Sequence, residues 1–286
     1  MNTGDQTVPV ASTRAELRSA VDAWRGQGLK VALVPTMGAL HAGHLALARA
    51  ARSTADRTVV SIFVNPAQFA PHEDFARYPR NLEQDRLTLE SAGTADLIYA
   101  PNPGEIYPEG FATRIVVDGP ARGLETDFRP HFFSGVATVV AKLFLQCRPD
   151  FAMFGEKDYQ QLLVVRRLSR DLGIGVDVIG VPTVREDDGL ALSSRNAYLN
   201  PPQRAVAAAL NRALDMVAAR VKTGMSIPQA EAEGAAELIR AGFERVDYIA
   251  VRDAQNLAPL RQLSAPARVL AAARIGSVRL IDNKAV

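Results

Sequence analysis

The sequence predicts an α/β fold: a doubly wound, Rossmann-like parallel sheet followed by a smaller α+β C-terminal domain. Three observations carry that prediction. Short apolar runs alternate with helix-forming runs from Lys30 to Val181, the rhythm of β-α-β units. The apolar runs are continuous rather than alternating, as interior parallel strands covered on both faces are. From Pro201 the texture changes to alanine-rich helices and then β-rich segments. The expected boundary puts residues 1–184 in the first domain and 185–286 in the second.

Taken in order, residues 13–26 read as an amphipathic helix. Leu17, Ala20, Val21 and Trp24 fall at i, i+3, i+4 and i+7, and Gly26 or Gly28 ends it. Lys30 to Pro35 is a buried strand, and Leu45 to Arg52 is a run of strong helix formers. Thr58 to Val64 is a second strand, ending in Asn65-Pro66-Ala67-Gln68-Phe69. Asn81 to Ala92 reads as a helix and Ala95 to Ala100 as a third strand. Between about Pro101 and Pro130 the pattern loosens into an excursion with a short β-like stretch, Thr113 to Val117. Ser134 is expected to cap the next helix, where Val136, Val139, Val140, Leu143, Phe144 and Cys147 keep helical spacing. Cys147 is therefore expected as a small buried hydrophobe. Asp150 to Phe154 is a fourth strand, Tyr159 to Asp171 a helix, and Val176 to Val181 a fifth strand. Arg185 to Asn196 is polar and expected to be mobile. Helices from Pro201 to Val221 and from Pro228 to Ala241 follow, then a strand from Val246 to Val251. Ala267 to Ala273 and Ser277 to Ile281 form an antiparallel hairpin across Arg274-Ile275-Gly276. No internal repeat or low-complexity tract interrupts this order.

Composition narrows the function classes. The 286 residues are 48% hydrophobic, enough for sizeable cores. Lysine and arginine number 33 against 31 acidic residues, a net charge of +2, with no basic stripe. That argues against nucleic acid as a partner. The single cysteine excludes an intramolecular disulfide and fits a reducing cytoplasm. Met1 to Pro9 is polar and carries no apolar signal core. No apolar run approaches the roughly 18 residues of a membrane span. A cytoplasmic protein without membrane partners is expected.

The chemistry concentrates in Pro35-Thr36-Met37-Gly38-Ala39-Leu40-His41-Ala42-Gly43-His44, at a strand-to-helix turn. Gly38 and Gly43 let backbone approach a ligand closely, and the N–H groups at the start of the new helix attract phosphate. His41 and His44 add hydrogen bonds to a triphosphate and, when protonated, charge. Metal binding by this pair is disfavoured because no nearby Cys, Asp or Glu completes a ligand set. Asn65 and Gln68 stand at the carboxyl end of a buried strand, where open α/β sheets bind ligands. Gly155-Glu156-Lys157-Asp158 repeats the strand–turn–helix design, with Lys157 placed to meet a phosphate and Asp158 to cap the helix. Ser193, Ser194 and Arg195 offer hydroxyls and a guanidinium that can swing onto a nucleotide. The chain thus has charge and amides for orienting a reaction, but no nucleophile paired with a base.

The pattern His41-x-Gly43-His44 resembles the signature of the nucleotidyltransferase and class I aminoacyl-tRNA synthetase superfamily. A wider set is more specific: Pro35–His44, Phe63–Phe69, Tyr78-Pro79-Arg80, Phe154–Gln161, Gly180–Glu186 and Leu190–Leu199. In this order and spacing these motifs resemble the pantoate–β-alanine ligase (pantothenate synthetase) family over nearly all of residues 30–200, and the tail more loosely. The resemblance implies ATP-dependent joining of D-pantoate to β-alanine through a pantoyl-adenylate, with AMP and pyrophosphate as products. It also implies a Mg2+-dependent cytoplasmic homodimer, with residues 1–184 binding ATP and pantoate and residues 185–286 acting as a lid.

Carried over residue by residue, the resemblance assigns ATP to Met37, Gly38, Ala39, Leu40, His41, Ala42, Gly43 and His44, with His44 in the proton-donor position. Gly155, Glu156, Lys157 and Asp158 would line the nucleotide, Val184 would contact it, and Leu192, Ser193, Ser194 and Arg195 would be the closing loop. His41, His44, Lys157, Ser193 and Arg195 are the catalytic candidates. Gln68 would touch both pantoate and β-alanine and Gln161 would hold pantoate, with Asn65 beside them as a substrate-binding candidate. Mg2+ would be held mainly by ATP oxygens, with Asp85 as a helper. One departure stands out: the family's Arg-Pro-x-His-Phe-x-Gly-Val reads Arg129-Pro130-His131-Phe132-Phe133-Ser134-Gly135-Val136 here. The histidine has moved by one place, so the family contact is not transferred to His131.

Three other classes fit less well. A nucleotidyltransferase acting on a phosphate acceptor needs a second basic pocket, and no surplus of Arg or Lys marks one. A non-catalytic nucleotide-binding module has no use for Gln68 and Gln161. An aminoacyl-tRNA synthetase needs a basic RNA-binding extension, which is missing.

Overall fold

The structure, a computed structural model, describes residues 7–71 and 73–286; within the polar stretch Met1–Pro9, residues 1–6 lie outside the described residues. In chain order the elements are β1 Val10–Ala11, α1 Arg14–Arg25, β2 Val31–Thr36, α2 Ala42–Thr54, β3 Arg57–Ile62, α3 Leu82–Ala92, β4 Leu97–Tyr99, α4 Pro103–Ile106, α5 Glu125–Phe128 and α6 Phe132–Cys147. They continue with β5 Phe151–Gly155, α7 Tyr159–Asp171, β6 Asp177–Val181, α8 Pro201–Ala207, α9 Ala209–Lys222, α10 Ile227–Ala241, β7 Arg245–Asp253, β8 Ala267–Ile275 and β9 Val278–Ala285. Two compact units result. One holds the described residues of Met1–Val117 with His131–Gly155 and Val164–Val181, the other Asp118–Pro130, Glu156–Leu163 and Pro182–Val286.

In the first unit six strands pair in the order β1-β4-β3-β2-β5-β6, all parallel, as the sequence predicts. Val31, Ala32, Leu33 and Val34 of β2 are wholly buried, which a strand covered on both faces requires. Ala32 and Val34 share a core with Leu47, Ala48 and Ala51 of α2 and with Val60, Ile98 and Met153. Val31 and Leu33 occupy the opposite face, because successive side chains alternate. The chain winds outward from β2 through β3 to β4 and then resumes on the other side of β2 with β5 and β6. The strand order therefore reverses between β2 and β5, the position at whose carboxyl end open α/β sheets bind ligands.

Local signals set most boundaries. Thr13 and Glu16 form the reciprocal cap that starts α1, and Leu17 and Val21 are its buried stripe. Asn81 caps α3, and Gly93 at φ +60° ends it. The stripe of α6 from Val136 to Cys147 is buried as its spacing predicts. Three expectations are corrected. Ser134 does not cap α6: Phe132 and Phe133 are already helical, and its hydroxyl bonds back to the His131 carbonyl at 2.9 Å. Thr113 to Val117 pairs with no strand among the described residues, and the Ile115 N–H goes instead to the Thr138 hydroxyl at 3.0 Å. The helix expected over 201–221 is broken at Ala208 into α8 and α9. The two-residue edge strand β1 lacked any readable pattern.

In the second unit α9 and α10 pack on a three-stranded antiparallel sheet in the order β7-β8-β9. Its core includes Leu210, Leu214, Val217, Leu238, Val251 and Val269. The expected hairpin is β8–β9. Two segments from earlier in the chain belong to this unit. Leu124 and Leu163 join an apolar cluster with Ala250, Leu257 and Leu270, and buried Glu125 pairs with Arg279 at 2.8 Å.

Candidate active site

The turn after β2 is built from the strand outward. The Thr36 hydroxyl donates to the Ser61 carbonyl of β3 at 2.8 Å and accepts the Gly38 N–H at 3.2 Å. Gly38 and Ala39 then take positive φ, +84° and +51°. A Cβ on Gly38 would lie 2.9 Å from an Asp85 oxygen and 3.2 Å from Ile62 Cγ2, so only glycine fits. Asp85, 4% exposed, accepts the Ala39 N–H at 3.0 Å through Oδ2 and the Leu40 N–H at 2.8 Å through Oδ1. A left-handed alanine costs about 1–2 kcal/mol, and two hydrogen bonds to a carboxylate at about 1.5–3 kcal/mol each more than offset it. Burial pushes the Asp85 carboxyl above its ordinary range, and the Leu40 and Ala39 amides hold it back.

His41 is the N-cap of α2, so Ala42, Gly43 and His44 form its first helical turn. His41 Nδ1 accepts the Gly43 N–H at 3.1 Å, and His44 Nδ1 accepts the His41 N–H at 3.3 Å, with the rings 4.1 Å apart. A ring nitrogen that accepts an N–H carries no hydrogen. In these two contacts each Nδ1 is the acceptor, which leaves Nε2 as the position from which each imidazole can donate. The Gly43 amide is engaged in this cap, and the flexibility the turn needs comes from Gly38.

The turn after β3 is organised by Asn65, 1% exposed. Its Oδ1 accepts the Ala67 N–H at 3.2 Å and the Tyr107 hydroxyl at 2.7 Å, and its Nδ2 donates to Gln68 Oε1 at 2.8 Å and to the Gly135 carbonyl at 3.2 Å. These four bonds fill the capacity of the amide. Burial pushes the Tyr107 phenol up to about 12, so it stays a neutral donor to Asn65. β2 and β3 are neighbours in register, Thr36 opposite Ile62, so both turns leave adjacent carboxyl ends.

Helix α6 presses against this turn through Gly135, where an added Cβ would stand 2.2 Å from the Ala67 carbonyl oxygen. Gly135→Ala gains up to about 1 kcal/mol of helix propensity, but overpacking against backbone costs about 1–3 kcal/mol. The overlap wins. The variant is expected to melt a few degrees lower, and an unchanged melting point would contradict this packing.

In the second unit Glu156–Asp158 form a 3-10 turn ahead of α7. The Glu156 carboxylate pairs with Arg268 at 3.1 Å, the Arg268 guanidinium lies 3.8 Å from the Tyr159 ring centre, and the Tyr159 hydroxyl donates to the Ala254 carbonyl at 2.7 Å. Lys157 Nζ is 3.9 Å from Asp158 Oδ2. The two glutamines of α7 differ: Gln160 is buried and bonded to Pro120, Gly123 and Glu125, while Gln161 is half-buried.

The loop expected to be polar and mobile has internal order. Arg185 and Ala191 form an antiparallel bridge, and the Leu192 N–H donates to the Val184 carbonyl at 3.0 Å, bringing Val184 and Leu192 together. Ser193 caps the following 3-10 turn, its hydroxyl accepting the Arg195 N–H at 3.3 Å.

Of the expected residues, then, Met37 to His44, Asn65, Gln68, Asp85 and Gly155 belong to the first unit. Glu156, Lys157, Asp158, Gln161, Val184, Leu192, Ser193, Ser194 and Arg195 belong to the second.

The sequence profile named Pantoate-beta-alanine ligase matches residues 9–285. The chain belongs to the pantoate-beta-alanine ligase family. It is 57% identical to the pantothenate synthetase of Paramagnetospirillum magneticum over 276 residues, covering 96% of this chain and 97% of that one. Among solved structures it is similar to pantothenate synthetase from Thermus thermophilus, with a TM-score of 0.89, 52% identity, and 96% and 98% of the two chains covered. It is also similar to the pantoate-beta-alanine ligase of Francisella tularensis, solved in complex with beta-gamma ATP and β-alanine, with a TM-score of 0.82, 34% identity and 97% of each chain covered.

Several residues of this ligase escaped sequence reasoning. The role of Thr36 within its motif was not legible, and Tyr107 gave no local signal. Gly135 gave one, a glycine inside an otherwise apolar helical run. Cys147 is buried and its thiol is pushed up to about 12 by that burial, so it is no nucleophile. The described residues contain no group of three or more His, Cys, Asp or Glu able to hold a metal ion, and no helix long and apolar enough to cross a membrane.

Proposed function

We propose that the enzyme joins D-pantoate to β-alanine in two steps. The pantoate carboxylate attacks the α-phosphorus of ATP and pyrophosphate leaves, giving pantoyl-adenylate. The β-alanine amine then attacks the acyl carbon, and AMP leaves with the C–O bond electrons. The observation that carries this reading is the reversal of strand order between β2 and β5, with the capped His41–His44 turn leaving the carboxyl end of β2. Membership of the ligase family and likeness to a ligase solved with an ATP species and β-alanine support it.

In this reading Met37 to His44 hold ATP, with the Nε2–H groups of His41 and His44 donating to phosphate oxygens. Lys157 and Arg195 supply positive charge to the departing pyrophosphate. Glu156 and Asp158 set the conformation of the Lys157 turn, and Leu192, Ser193 and Ser194 close on the nucleotide with Val184. Gln68 and Gln161 orient pantoate. Asn65, with its amide fully engaged, positions Gln68 rather than touching substrate. Mg2+ bound to ATP oxygens would neutralise phosphate charge, and each Asp85 oxygen keeps a lone pair beyond its loop amide with which to assist. A homodimer in the cytoplasm completes the reading.

The test is product analysis. Purified enzyme given ATP, pantoate, β-alanine and Mg2+ should release AMP and pantothenate in equal amounts. Release of ADP, or no AMP, would contradict it.

A further inference from the structure

Two consecutive polar residues near the end of β9, Asp282 and Asn283, are each 3% exposed. Their side chains leave the strand on opposite faces. Asp282 takes a bidentate grip from Arg185, at 2.6 and 2.9 Å, and also accepts the Asn283 N–H at 2.7 Å. Asn283 Nδ2 donates one hydrogen to the Glu156 carbonyl and the other to the Lys157 carbonyl, both at 2.8 Å. In a trans peptide the N–H points opposite to the C=O. Fixing the carbonyls of residues 156 and 157 toward β9 therefore turns the Lys157 N–H away from it, while the Asp158 N–H is a donor within the 3-10 turn itself.

The location of this turn is already secured by the Glu156–Arg268 pair and by the Tyr159 hydroxyl on Ala254. What Asn283 adds is the orientation of two peptide planes. We propose that Asn283 is a positioning residue for the nucleotide, presenting the Lys157 amide to a phosphate of ATP. This rests on the ATP-dependent ligation proposed above. Asp282 anchors the same strand step to Arg185, which also donates to the Gly189 carbonyl at 3.0 Å and so holds the hairpin preceding Ser193.

Asn283→Leu keeps the side-chain size and removes both donors. Steady-state kinetics of the folded variant should show kcat lowered about 10- to 100-fold, the range for a slight misplacement of an aligning group. The ATP KM should rise, while the pantoate and β-alanine KM values stay within about twofold of wild type. Asn283→Gln, which keeps an amide donor, should recover part of the loss. If the leucine variant does not fold, Asn283→Ser, smaller and without apolar bulk, is expected to show the same split. A folded variant with wild-type kcat and ATP KM, altered only in melting temperature, would make Asn283 a structural clip and overturn the proposal. Wild-type enzyme that releases no AMP from the three substrates is a separate failure, one that overturns the functional reading itself.

Discussion

Lys157→Ala is expected to lower kcat by about two orders of magnitude or more, the usual loss when one transition-state charge contact is removed. The pantoate KM should change little, because negative charge on the leaving oxygens peaks as pyrophosphate departs, not while pantoate binds. Geometry leaves Lys157 available for this. Its ammonium is 3.9 Å from Asp158, whose side chain is 40% exposed, and such a partly solvated pair holds its partner by no more than about 1 kcal/mol. A triphosphate offers a stronger field. Steady-state rates with each substrate varied in turn measure the effect, and wild-type turnover would reduce Lys157 to a solvated turn residue.

Gln68→Glu should be nearly as damaging, by a different route. The substitution preserves shape and leaves an oxygen to accept the Asn65 Nδ2 hydrogen, now at 2.8 Å, so the turn stays built. It places a negative charge at a position 9% exposed and, in the proposed site, beside the pantoate carboxylate. Like charges brought together in a partly desolvated pocket cost several kcal/mol, so pantoate-dependent adenylation should fall by about 100-fold or more. Gln68→Ala should weaken adenylation less and should also slow capture of preformed adenylate by β-alanine. If the alanine variant impairs a single half-reaction, Gln68 does not serve both substrates.

The sheet was legible because burial on both faces writes itself into sequence as unbroken apolar runs, and β2 and β3 carry them. The helix start at Thr13 and the helix end at Ala92 were legible because the groups that satisfy them, Glu16 and Gly93, lie close by in sequence. What failed to show lacks a local cause. The break at Ala208 falls in a run of alanines without glycine or proline to punctuate it. Ser134 has the chemistry of a cap but stands three residues past the N-cap position, His131, because Phe132 and Phe133 are drawn into the helix. Asp118–Pro130 joins the second unit through Leu124 and Glu125, whose partners Ala250, Leu257, Leu270 and Arg279 lie more than 100 residues on.

The site divides the same way. Motif residues were readable as a set, since glycines, imidazoles and a lysine at strand-to-helix turns advertise phosphate chemistry. Their support was not. That backbone N–H groups occupy the Nδ1 atoms of His41 and His44 is set by the geometry of the turn. Asp85 reads in sequence as an acid in the first turn of a helix, where the dipole favours it, yet its oxygens hold Ala39 and Leu40. Asn283 reads as the polar tail of a strand, and its partners are 126 and 127 residues away.

The central claim is that a carboxylate is activated on the α-phosphorus before any amine arrives. Exchange of labelled pyrophosphate into ATP measures this directly. With enzyme, ATP, Mg2+ and pantoate but no β-alanine, label should enter ATP, and omission of pantoate should abolish the exchange. Exchange that requires β-alanine, or none under any condition while pantothenate still forms, would contradict a pantoyl-adenylate made in a separate first step.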